Sequence, residues 1–366
     1  MGKDEYYMRM ALDLAKKGIG KTDPNPMVGA VLVKDGKVIS TGYHKRAGLA
    51  HAEIEALSKA GRKAKGSTLY VNLEPCSHFG RTPPCVNRII KDGVKRVVVG
   101  MRDPNPLVNG KGIAELKAHG LEVRSGVLMR EAGKINRIFA ARMARKRPFV
   151  TIKVAQSLDG KIATYTGDSK WITGEASRRY VHRLRSRVDA VLVGVNTVIN
   201  DDPLLTARVG NVRKQPLRVV LDSRLRIPRK SRILCLDPST VIIATTNRSS
   251  AKDRSILENM GVKVLVLREA RGQVDLSGLL KYLGERGVSH ILVEGGGKVV
   301  ASFLKNGLVD EAMFFISPKI IGGKEAITSV EGDGIRLVEK APRLYDITVK
   351  RLGDDILVRG YVHRDN

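Results

Sequence analysis

Apolar and polar positions follow two different periods along the first part of the chain. In residues 5–17 the apolar positions lie three or four residues apart, which predicts an amphipathic helix ending before Gly18. Residues 28–44 contain two apolar runs separated by Asp35-Gly36, which predicts a β-hairpin. Further helical and strand patterns alternate in the segments 51–61, 67–76, 85–93 and 95–101. This alternation predicts an α/β domain whose sheet is covered by helices.

The pattern is interrupted near residue 147. A helical stretch over residues 129–145 is stopped by Pro148, and an apolar strand begins at Phe149. Apolar strands, separated by helical or turn segments, then recur in residues 149–158, 189–198, 217–222, 240–246, 262–267 and 290–296. The chain has 366 residues, more than one hydrophobic core usually serves. We therefore predict two α/β domains, residues 1–146 and residues 147–366.

The amino-acid composition indicates the general class of protein but does not identify its function. Hydrophobic residues make up 42% of the chain and charged residues 28%, as in soluble globular proteins. The charged start and the lack of an apolar run of about 18 residues argue against a secretory leader or a membrane span, so we expect a cytoplasmic protein. The net charge of +28 is spread over both halves. Such a field attracts any polyanion, from nucleic acid to phosphorylated metabolites.

The first half contains a candidate metal site. His51 and Glu53 stand at the start of a predicted helix, Cys76 follows a predicted strand, and Cys85 opens the next helix, where the helix dipole favours a thiolate. One imidazole and two thiolates leave a fourth tetrahedral position open, as in catalytic zinc sites. A carboxylate at Glu53 is near enough to move protons in zinc-dependent deamination.

Other interpretations of these cysteines remain open at this point. The usual deaminase motif has two residues between its cysteines, whereas eight residues separate Cys76 from Cys85. Isolated cysteines commonly pack in the core, which is our expectation for Cys235. A structural zinc site would need a fourth ligand, for which His78 is the nearby candidate.

Three segments resemble the deaminase half of the bifunctional riboflavin-biosynthesis deaminase-reductases. They are TDPNPMVGAVLV, GYHKRAGLAHAEIEAL and LEPCSHFGRTPPCVNRII, and the long spacing between the cysteines is that family's version of the motif. The resemblance implies a cytidine-deaminase-like, three-layer α/β/α domain. It also implies that His51, Cys76 and Cys85 bind zinc and that Glu53 transfers protons.

The same resemblance extends to the substrate of the first domain. It implies that Asn25 and His44 line a pyrimidine pocket. Arg81 lies between the two cysteines, where the family carries a basic residue, and we expect it to face the phosphate of the substrate.

The second half has a glycine-rich connection but no G-x-G-x-x-G dinucleotide motif after its first strand. The segment HILVEGGGKVVASFLKNGLVDE is typical of a strand, three glycines and a helix. Gly295, Gly296 and Gly297 would let the backbone approach a ligand closely, and the amides that open the helix suit a diphosphate. A turn of this kind also occurs as a simple tight connection.

The resemblance covers this half as well, through the segments KVAQSLDGKIA, GDSKWITG, RLRSRVDAVLVGVNTVINDDPLLTAR and LDSRLRIP. It implies a dihydrofolate-reductase-like α/β domain that uses NADPH. The implied cofactor contacts are Ala155, Trp171, Thr197, Asp201, Ser223, Gly296, Gly297, Lys298 and Val299. The implied substrate contacts are Ser169, Arg185, Leu205, Arg208 and Glu294, to which we add Lys153.

Two chemical roles in this half remain open. Either Asp201 or Glu294 could supply a proton beside hydride transfer. Arg248 follows a predicted strand, and we expect it to meet the 2′-phosphate that distinguishes NADPH from NADH.

These features predict an enzyme with two activities. We expect zinc-dependent deamination of a phosphoribosylated diaminopyrimidinone, followed by reduction of its ribosyl side chain by NADPH. We also expect the protein to be a homo-oligomer, in the simplest case a dimer. The alternative from another class is a nucleic-acid base deaminase with an RNA-binding second domain. Only 4% of the residues are aromatic, which provides few surfaces for base stacking and argues against nucleic acid as a partner. A zinc-stabilised scaffold without catalysis is the third possibility.

Overall fold

The structure is a computed structural model that describes residues 2–79, 83–210 and 214–363 of the chain. The chain divides into two compact units, Met1–Lys146 and Arg147–Asn366. Within the described residues, no helix is both long enough and apolar enough to cross a membrane.

Among its described residues, the first unit contains five strands and six α-helices. In chain order they are α1 (Lys3–Lys16), β1 (Gly29–Lys34), β2 (Lys37–Tyr43), α2 (Ala52–Ala60), β3 (Thr68–Leu73), α3 (Cys85–Lys91), β4 (Arg96–Met101), α4 (Lys111–Ala118), β5 (Glu122–Ser125), α5 (Met129–Ile135) and α6 (Arg137–Arg145). The sheet order is β2-β1-β3-β4-β5, antiparallel across the first three strands and parallel from β3 to β5. The predicted hairpin is confirmed, with Asp35 and Gly36 at positive φ in its turn.

Alternation along the strands gives this sheet two apolar faces. Val97 and Val99 of β4 pack with α2, α3 and α4, whereas Val98 between them packs with α1 and α5. Because successive side chains of a strand point to opposite faces, an uninterrupted apolar strand is buried on both sides. The predicted three-layer α/β/α arrangement is confirmed.

Two glycines, in β1 and β2, let helices α1 and α2 approach the sheet closely. A Cβ atom on Gly42 of β2 would lie 2.3 Å from the carbonyl oxygen of Ala52, the first residue of α2. A Cβ atom on Gly29 of β1 would lie 2.1 Å from the carbonyl oxygen of Ala11 in α1. The contact at Gly42 fixes the start of α2, where His51 stands.

The predicted helix over residues 129–145 is divided into α5 and α6 at Asn136. The side chain of Asn136 accepts a hydrogen bond from the amide of Met27 at 2.8 Å and donates one to its carbonyl at 3.0 Å. An asparagine that pairs with a distant backbone in this way competes with regular helix geometry. Amphipathic periodicity along the helix cannot reveal that contact.

The second unit is built on a larger sheet. Its elements are β6 (Phe149–Gln156), α7 (Glu175–Arg185), β7 (Ala190–Gly194), α8 (Val195–Asp201), β8 (Leu217–Leu221), α9 (Arg232–Cys235), β9 (Val241–Thr245), α10 (Ala251–Asn259), β10 (Lys263–Val266), β11 (Glu269–Ala270), β12 (Gln273–Val274), α11 (Leu276–Glu285), β13 (His290–Val293), α12 (Gly297–Lys305), β14 (Glu311–Ile316), β15 (Tyr345–Leu352) and β16 (Asp355–Tyr361). The predicted strand over 189–198 ends earlier, at Gly194, because Val195 and Val198 are buried one helical turn apart in α8.

Nine strands of this unit form one sheet, in the order β10-β9-β8-β7-β13-β6-β14-β16-β15. The strands from β10 to β14 are parallel, and β16 and β15 add an antiparallel edge. Helices α11 and α12 cover one face of the parallel part, and α8, α9 and α10 cover the other. In open parallel sheets, ligands bind at the carboxyl ends of the strands.

Candidate active sites

The three residues proposed as zinc ligands lie together in the first unit. Nδ1 of His51 lies 3.2 Å from Sγ of Cys85 and 3.6 Å from Sγ of Cys76. The three atoms all lie within 4.8 Å of one another. His51 is the residue just before α2, and Cys85 is the first residue of α3, so both ligands are presented by helix starts.

The chain segment that leads to Cys76 is anchored by a buried carboxylate two residues earlier. Glu74, which is 3% exposed, accepts hydrogen bonds from the amides of Asp103, Gly110 and Ile113. These amides precede or open α4, so the carboxylate satisfies donors that a helix start leaves unpaired. Sequence reasoning missed Glu74, although an acidic residue two positions before a ligand cysteine was a visible signal.

The charges of this cluster suit a divalent cation. Hydrogen bonds from the Cys85 thiol and amide and from His51 lower the pKa of Cys76 to about 4, which makes it a thiolate. Burial and the adjacent Cys76 raise the pKa of Cys85. A cation bound between them would favour the second thiolate, because metal binding displaces ligand protons. One nitrogen and two sulfurs are a donor set that zinc accepts.

Glu53 lies beside these ligands in the first turn of α2. It is 3% exposed, and its Oε2 atom has no hydrogen-bond partner in the described part of the chain. Burial raises the pKa of this carboxyl group. A buried carboxyl oxygen without a partner is costly unless a ligand uses it. Its position therefore suits proton exchange with a bound reactant.

Asn25 and His44 lie close to each other, and His44 lies close to the proposed zinc ligand His51. Nδ2 of Asn25 lies 3.2 Å from Nε2 of His44, and the His44 ring lies edge-on to His51 at 5.4 Å between centroids. Nδ1 of His44 lies 3.1 Å from the carbonyl oxygen of Ala50 and donates to it, so Nε2 is left to accept from Asn25. Burial lowers the pKa of His44, which keeps the ring neutral.

The loop that carries Asn25 is fixed by two asparagines that sequence reasoning missed. The Nδ2 atoms of Asn72 and Asn136 both donate to the carbonyl oxygen of Met27, each at 3.0 Å. Asn72 is fully buried and also accepts a hydrogen bond from the amide of Gly29.

Arg81, our candidate for the substrate phosphate, lies outside the described residues.

In the second unit, a cleft of about 300 Å³ lies at the carboxyl ends of the parallel strands. It brings together seven of the residues proposed for NADPH or substrate, which are Ser169, Thr197, Asp201, Gly296, Gly297, Lys298 and Val299. Ser169 donates a hydrogen bond to Oδ1 of Asp201 at 3.3 Å. The cleft is therefore the candidate cofactor site.

The three glycines at the start of α12 differ in what surrounds them. A Cβ atom on Gly295 would lie 2.6 Å from Cβ of Val299, and one on Gly297 would lie 2.4 Å from the carbonyl oxygen of Thr328. Gly296 has open space instead, with nothing within 4 Å of its Cβ position. Close packing inside the protein thus requires Gly295 and Gly297, and Gly296 is the residue that leaves room for a ligand.

A second group of predicted residues forms a buried ion cluster. Arg185 donates to both carboxylate oxygens of Glu294, at 2.6 and 2.9 Å, and Nζ of Lys153 lies 3.7 Å from Oε2 of the same group. The two cations hold the pKa of Glu294 at about 2 against the opposing effect of burial. Burial lowers the pKa of Lys153. The cluster carries two positive charges against one negative charge.

The remaining predicted residues lie outside the lining of the cleft. Leu205 is buried at positive φ, and Nη2 of Arg208 lies 3.2 Å from Nε2 of His182. Trp171 is 62% exposed beneath the guanidinium of Arg178 at 4.6 Å.

Ala155 and Ser223 stand at strand ends. Ala155 lies near the end of β6, and Ser223 follows β8, where its carbonyl oxygen accepts a hydrogen bond from Thr246 at 2.8 Å. Both therefore lie at the carboxyl edge that contains the cleft.

One expectation from the sequence needs correction. Cys235 is exposed, at the end of the short helix α9, and is not a packing residue. Arg248 is not among the described residues that line the cleft, and its Nη1 lies 3.6 Å from Oε1 of Glu269, so its contact with the 2′-phosphate stays a prediction.

Comparison with known proteins agrees with this arrangement of two sites. A model of the cytidine and deoxycytidylate deaminase zinc-binding region matches residues 1–101, and a model of the RibD C-terminal domain matches residues 148–358. The chain is 47% identical over 355 residues to the riboflavin biosynthesis protein RibD of Aquifex aeolicus, with 97% of each chain covered. The chain belongs to the RibD family.

Further RibD relatives cover the whole length. The RibD protein of Escherichia coli is 41% identical over 366 residues, with 97% of this chain and 98% of that protein covered. A solved structure of RibD from Acinetobacter baumannii superposes with a TM-score of 0.87 at 40% identity, covering 98% of both chains.

A deaminase/reductase structure from Thermotoga maritima gives a TM-score of 0.82 at 38% identity, again covering 98% of both chains. That protein is described as a diaminohydroxyphosphoribosylaminopyrimidine deaminase/5-amino-6-(5-phosphoribosylamino)uracil reductase. Zinc and NADPH are the cofactors that the RibD domains indicate, and the donor set and the cleft fit them.

Gly112 provides a test of how the zinc ligands are held. A Cβ atom there would lie 2.1 Å from the carbonyl oxygen of Pro75, so Gly112→Ala should push α4 away from the residue before Cys76. We expect zinc affinity, measured by titration against a chelator, to fall by about 10- to 100-fold, as for other supporting residues of metal sites. Gly133→Ala in α5 is the control, since its Cβ position is open. Unchanged zinc affinity in Gly112→Ala would contradict this account.

Proposed function

We propose that the chain catalyses two successive reactions of riboflavin biosynthesis. The first is hydrolytic deamination of 2,5-diamino-6-(5-phosphoribosylamino)pyrimidin-4(3H)-one. The second is reduction of the resulting ribosyl side chain, giving 5-amino-6-(5-phosphoribitylamino)uracil. The observation that carries the proposal is a buried His-Cys-Cys cluster with an unpartnered glutamate on the same chain as a RibD-type reductase cleft.

In the deaminase unit, zinc would supply a Lewis acid that makes water nucleophilic at neutral pH. His51, Cys76 and Cys85 would hold it. The carboxylate of Glu53 would take one proton from the attacking water and pass it to the ring nitrogen, and it would then carry the second proton, from the added hydroxyl group, to the leaving amine. Water oxygen thereby replaces the exocyclic nitrogen, which leaves as ammonia. The unpartnered Oε2 of Glu53 supports this role.

The pyrimidine ring would be held by Asn25 and His44. The hydrogen bond from Asn25 to His44 leaves the amide oxygen of Asn25 free to accept from an amino group or a ring N–H. A neutral His44, fixed by Ala50, keeps this orientation without adding charge beside the metal ligands.

Replacing Glu53 tests its role in proton transfer separately from metal binding. Glu53→Gln should retain zinc and lower the rate of ammonia release by about 100- to 10,000-fold, because proton transfer is lost while the ligands remain. Reduction of the deaminated pyrimidine by the same preparation should be unchanged. The matched control is Glu55→Gln in the same turn of α2, where Glu55 pairs with Lys45 and Lys59. Full deamination by Glu53→Gln would sink the proposed role of Glu53, and absence of deamination by the unmodified protein would favour the scaffold hypothesis.

In the reductase unit, NADPH would supply the hydride, bound in the cleft with its diphosphate at the first amides of α12. Gly296 precedes this helix and has open space around it, which supports the placement. The substrate would bind near Arg185 and Lys153, whose charge exceeds that of Glu294 and suits an anionic ligand.

The two candidate proton donors differ in their surroundings. Glu294 has a pKa of about 2 and stays a carboxylate at neutral pH, which suits holding Arg185 and Lys153 but not donating a proton. Asp201 lines the cleft beside Ser169. We therefore favour Asp201 as the donor and Glu294 as the residue that orients the two cations.

Glu294→Gln tests the ion cluster. Removal of its charge leaves Arg185 and Lys153 as buried cations without their carboxylate, a change that commonly costs about 3–5 kcal/mol. We expect NADPH oxidation with the deaminated substrate to be lost and ammonia release from the first substrate to be retained. Glu269→Gln, which affects only an exposed pair with Arg248, is the control. Normal NADPH oxidation by Glu294→Gln would contradict the role of the cluster.

Both substrates carry a phosphate, so the net charge of +28 has a use in attracting them. The alternative of an RNA-binding second domain is not favoured, because residues 148–358 match the RibD C-terminal domain.

A homo-oligomer belongs to the same proposal. The edge strand β15 exposes Ile347 by 57% and Val349 by 66%, and an open apolar strand edge is a common place for a second copy to pack. We expect light scattering to show a dimer for the unmodified protein and a monomer for Val349→Asp. A monomeric unmodified protein would contradict the proposed homo-oligomer.

A further inference from the structure

The first turn of α12 is in contact with a carboxylate from a distant loop. Glu331, in the loop after β14, lines the same cleft as Gly297 and Lys298 of that turn. From a Cβ atom placed on Gly297, Cγ of Glu331 would lie 2.7 Å away and Oε2 of Glu331 2.9 Å away. A larger residue at position 297 would therefore displace this carboxylate, and glycine leaves room for it.

The position of Glu331 is set by backbone hydrogen bonds on both sides of its loop. The amide of Glu331 donates to the carbonyl oxygen of Gly297 at 3.3 Å. Two residues earlier, the amide of Ser329 donates to the carbonyl oxygen of Gly160, in the turn after β6, at 3.0 Å. The loop is thus held between the turn after β6 and α12, and it presents the carboxylate to the start of that helix.

Glu331 supplies a charge that α12 itself lacks. The helix has no acidic residue in its first turn, and its N-cap residue is Gly296, which has no side chain to accept from the unpaired amides. A negative charge near these amides is favourable, because they point away from the helix and lie at the positive end of its dipole. Glu331 makes no ion pair with the described residues, so the start of α12 is what its carboxylate faces.

The same helix start is where we place the diphosphate of the cofactor. A diphosphate is negatively charged, so it would bind beside a carboxylate of its own sign. Repulsion between like charges is stronger in a partly enclosed cleft than in open water, because the effective dielectric constant is lower. Lys298 attracts the diphosphate, and Glu331 opposes that attraction.

We propose that Glu331 competes with the cofactor diphosphate for the start of α12 and thereby limits the affinity for NADPH and NADP+. This inference rests on the proposed reductase function. The reductase has to release NADP+ after each hydride transfer, and a carboxylate at this position favours that release.

Equilibrium titration calorimetry of the full chain with NADPH and with NADP+ tests the proposal without relying on turnover. Glu331→Gln removes the charge and keeps the shape of the side chain, so both dinucleotides should bind about 3- to 30-fold more tightly. Adenosine 2′-monophosphate contains no diphosphate, and its affinity should not change.

The matched control is Asp333→Asn, which removes the same charge from the same loop. Asp333 pairs with Lys305 in the last turn of α12 at 2.8 Å, at the other end of the helix from the proposed diphosphate position. This variant should bind NADPH and NADP+ with the affinity of the unmodified protein.

The contrary outcomes are distinct. Weaker or unchanged binding of both dinucleotides by Glu331→Gln would overturn the proposal, and weaker binding would make Glu331 a cofactor-binding residue instead. Equal tightening in Asp333→Asn, or equal tightening for adenosine 2′-monophosphate, would show a general effect of charge and would also overturn it. If the unmodified protein binds neither dinucleotide, the reductase function fails first, and this inference fails with it.

Discussion

Buried ionisable groups that depend on one another define both sites. In the deaminase unit, two cysteines and Glu53 lie in buried or half-buried positions around a single histidine. The hydrogen bond to Cys76 raises the pKa of His51 to about 9, and the pKa values of Cys85 and Glu53 are also raised, so these groups hold protons around the Cys76 thiolate. A divalent cation between the sulfurs would displace ligand protons. In the reductase unit, Arg185 and Lys153 lie against the buried carboxylate of Glu294. These groups suit a metal in the first site and an anionic ligand in the second.

Both sites also use the same construction. Residues that must meet a ligand stand at helix starts or strand ends, and buried polar groups out of reach of the ligand fix those ends. Glu74 does this for Cys76 by accepting three backbone amides, and Asp222 does it for the loop that begins at Ser223 by accepting two. Because these carboxylates are satisfied entirely by backbone, they stabilise loops without competing for the ligand.

Much of this arrangement could be predicted from the sequence. Periodicity identified the hairpin around Asp35-Gly36 and the strand-helix alternation, and the spacing of His51, Cys76 and Cys85 predicted their convergence. What could not be predicted depends on contacts between distant residues. The helix break at Asn136 requires the backbone of Met27, the burial of Gly297 requires Thr328, and the cleft position of Glu331 requires the fold of its loop. A local pattern contains no information about partners that lie far away along the chain.

The central claim is that one chain deaminates first and reduces second. The most direct measurement follows ammonia and NADPH together after the phosphoribosylated diaminopyrimidinone is added to a single zinc-loaded preparation. The account predicts that NADPH oxidation begins after a lag and then equals the ammonia released. NADPH oxidation that starts at once, or that proceeds without ammonia, would contradict the account.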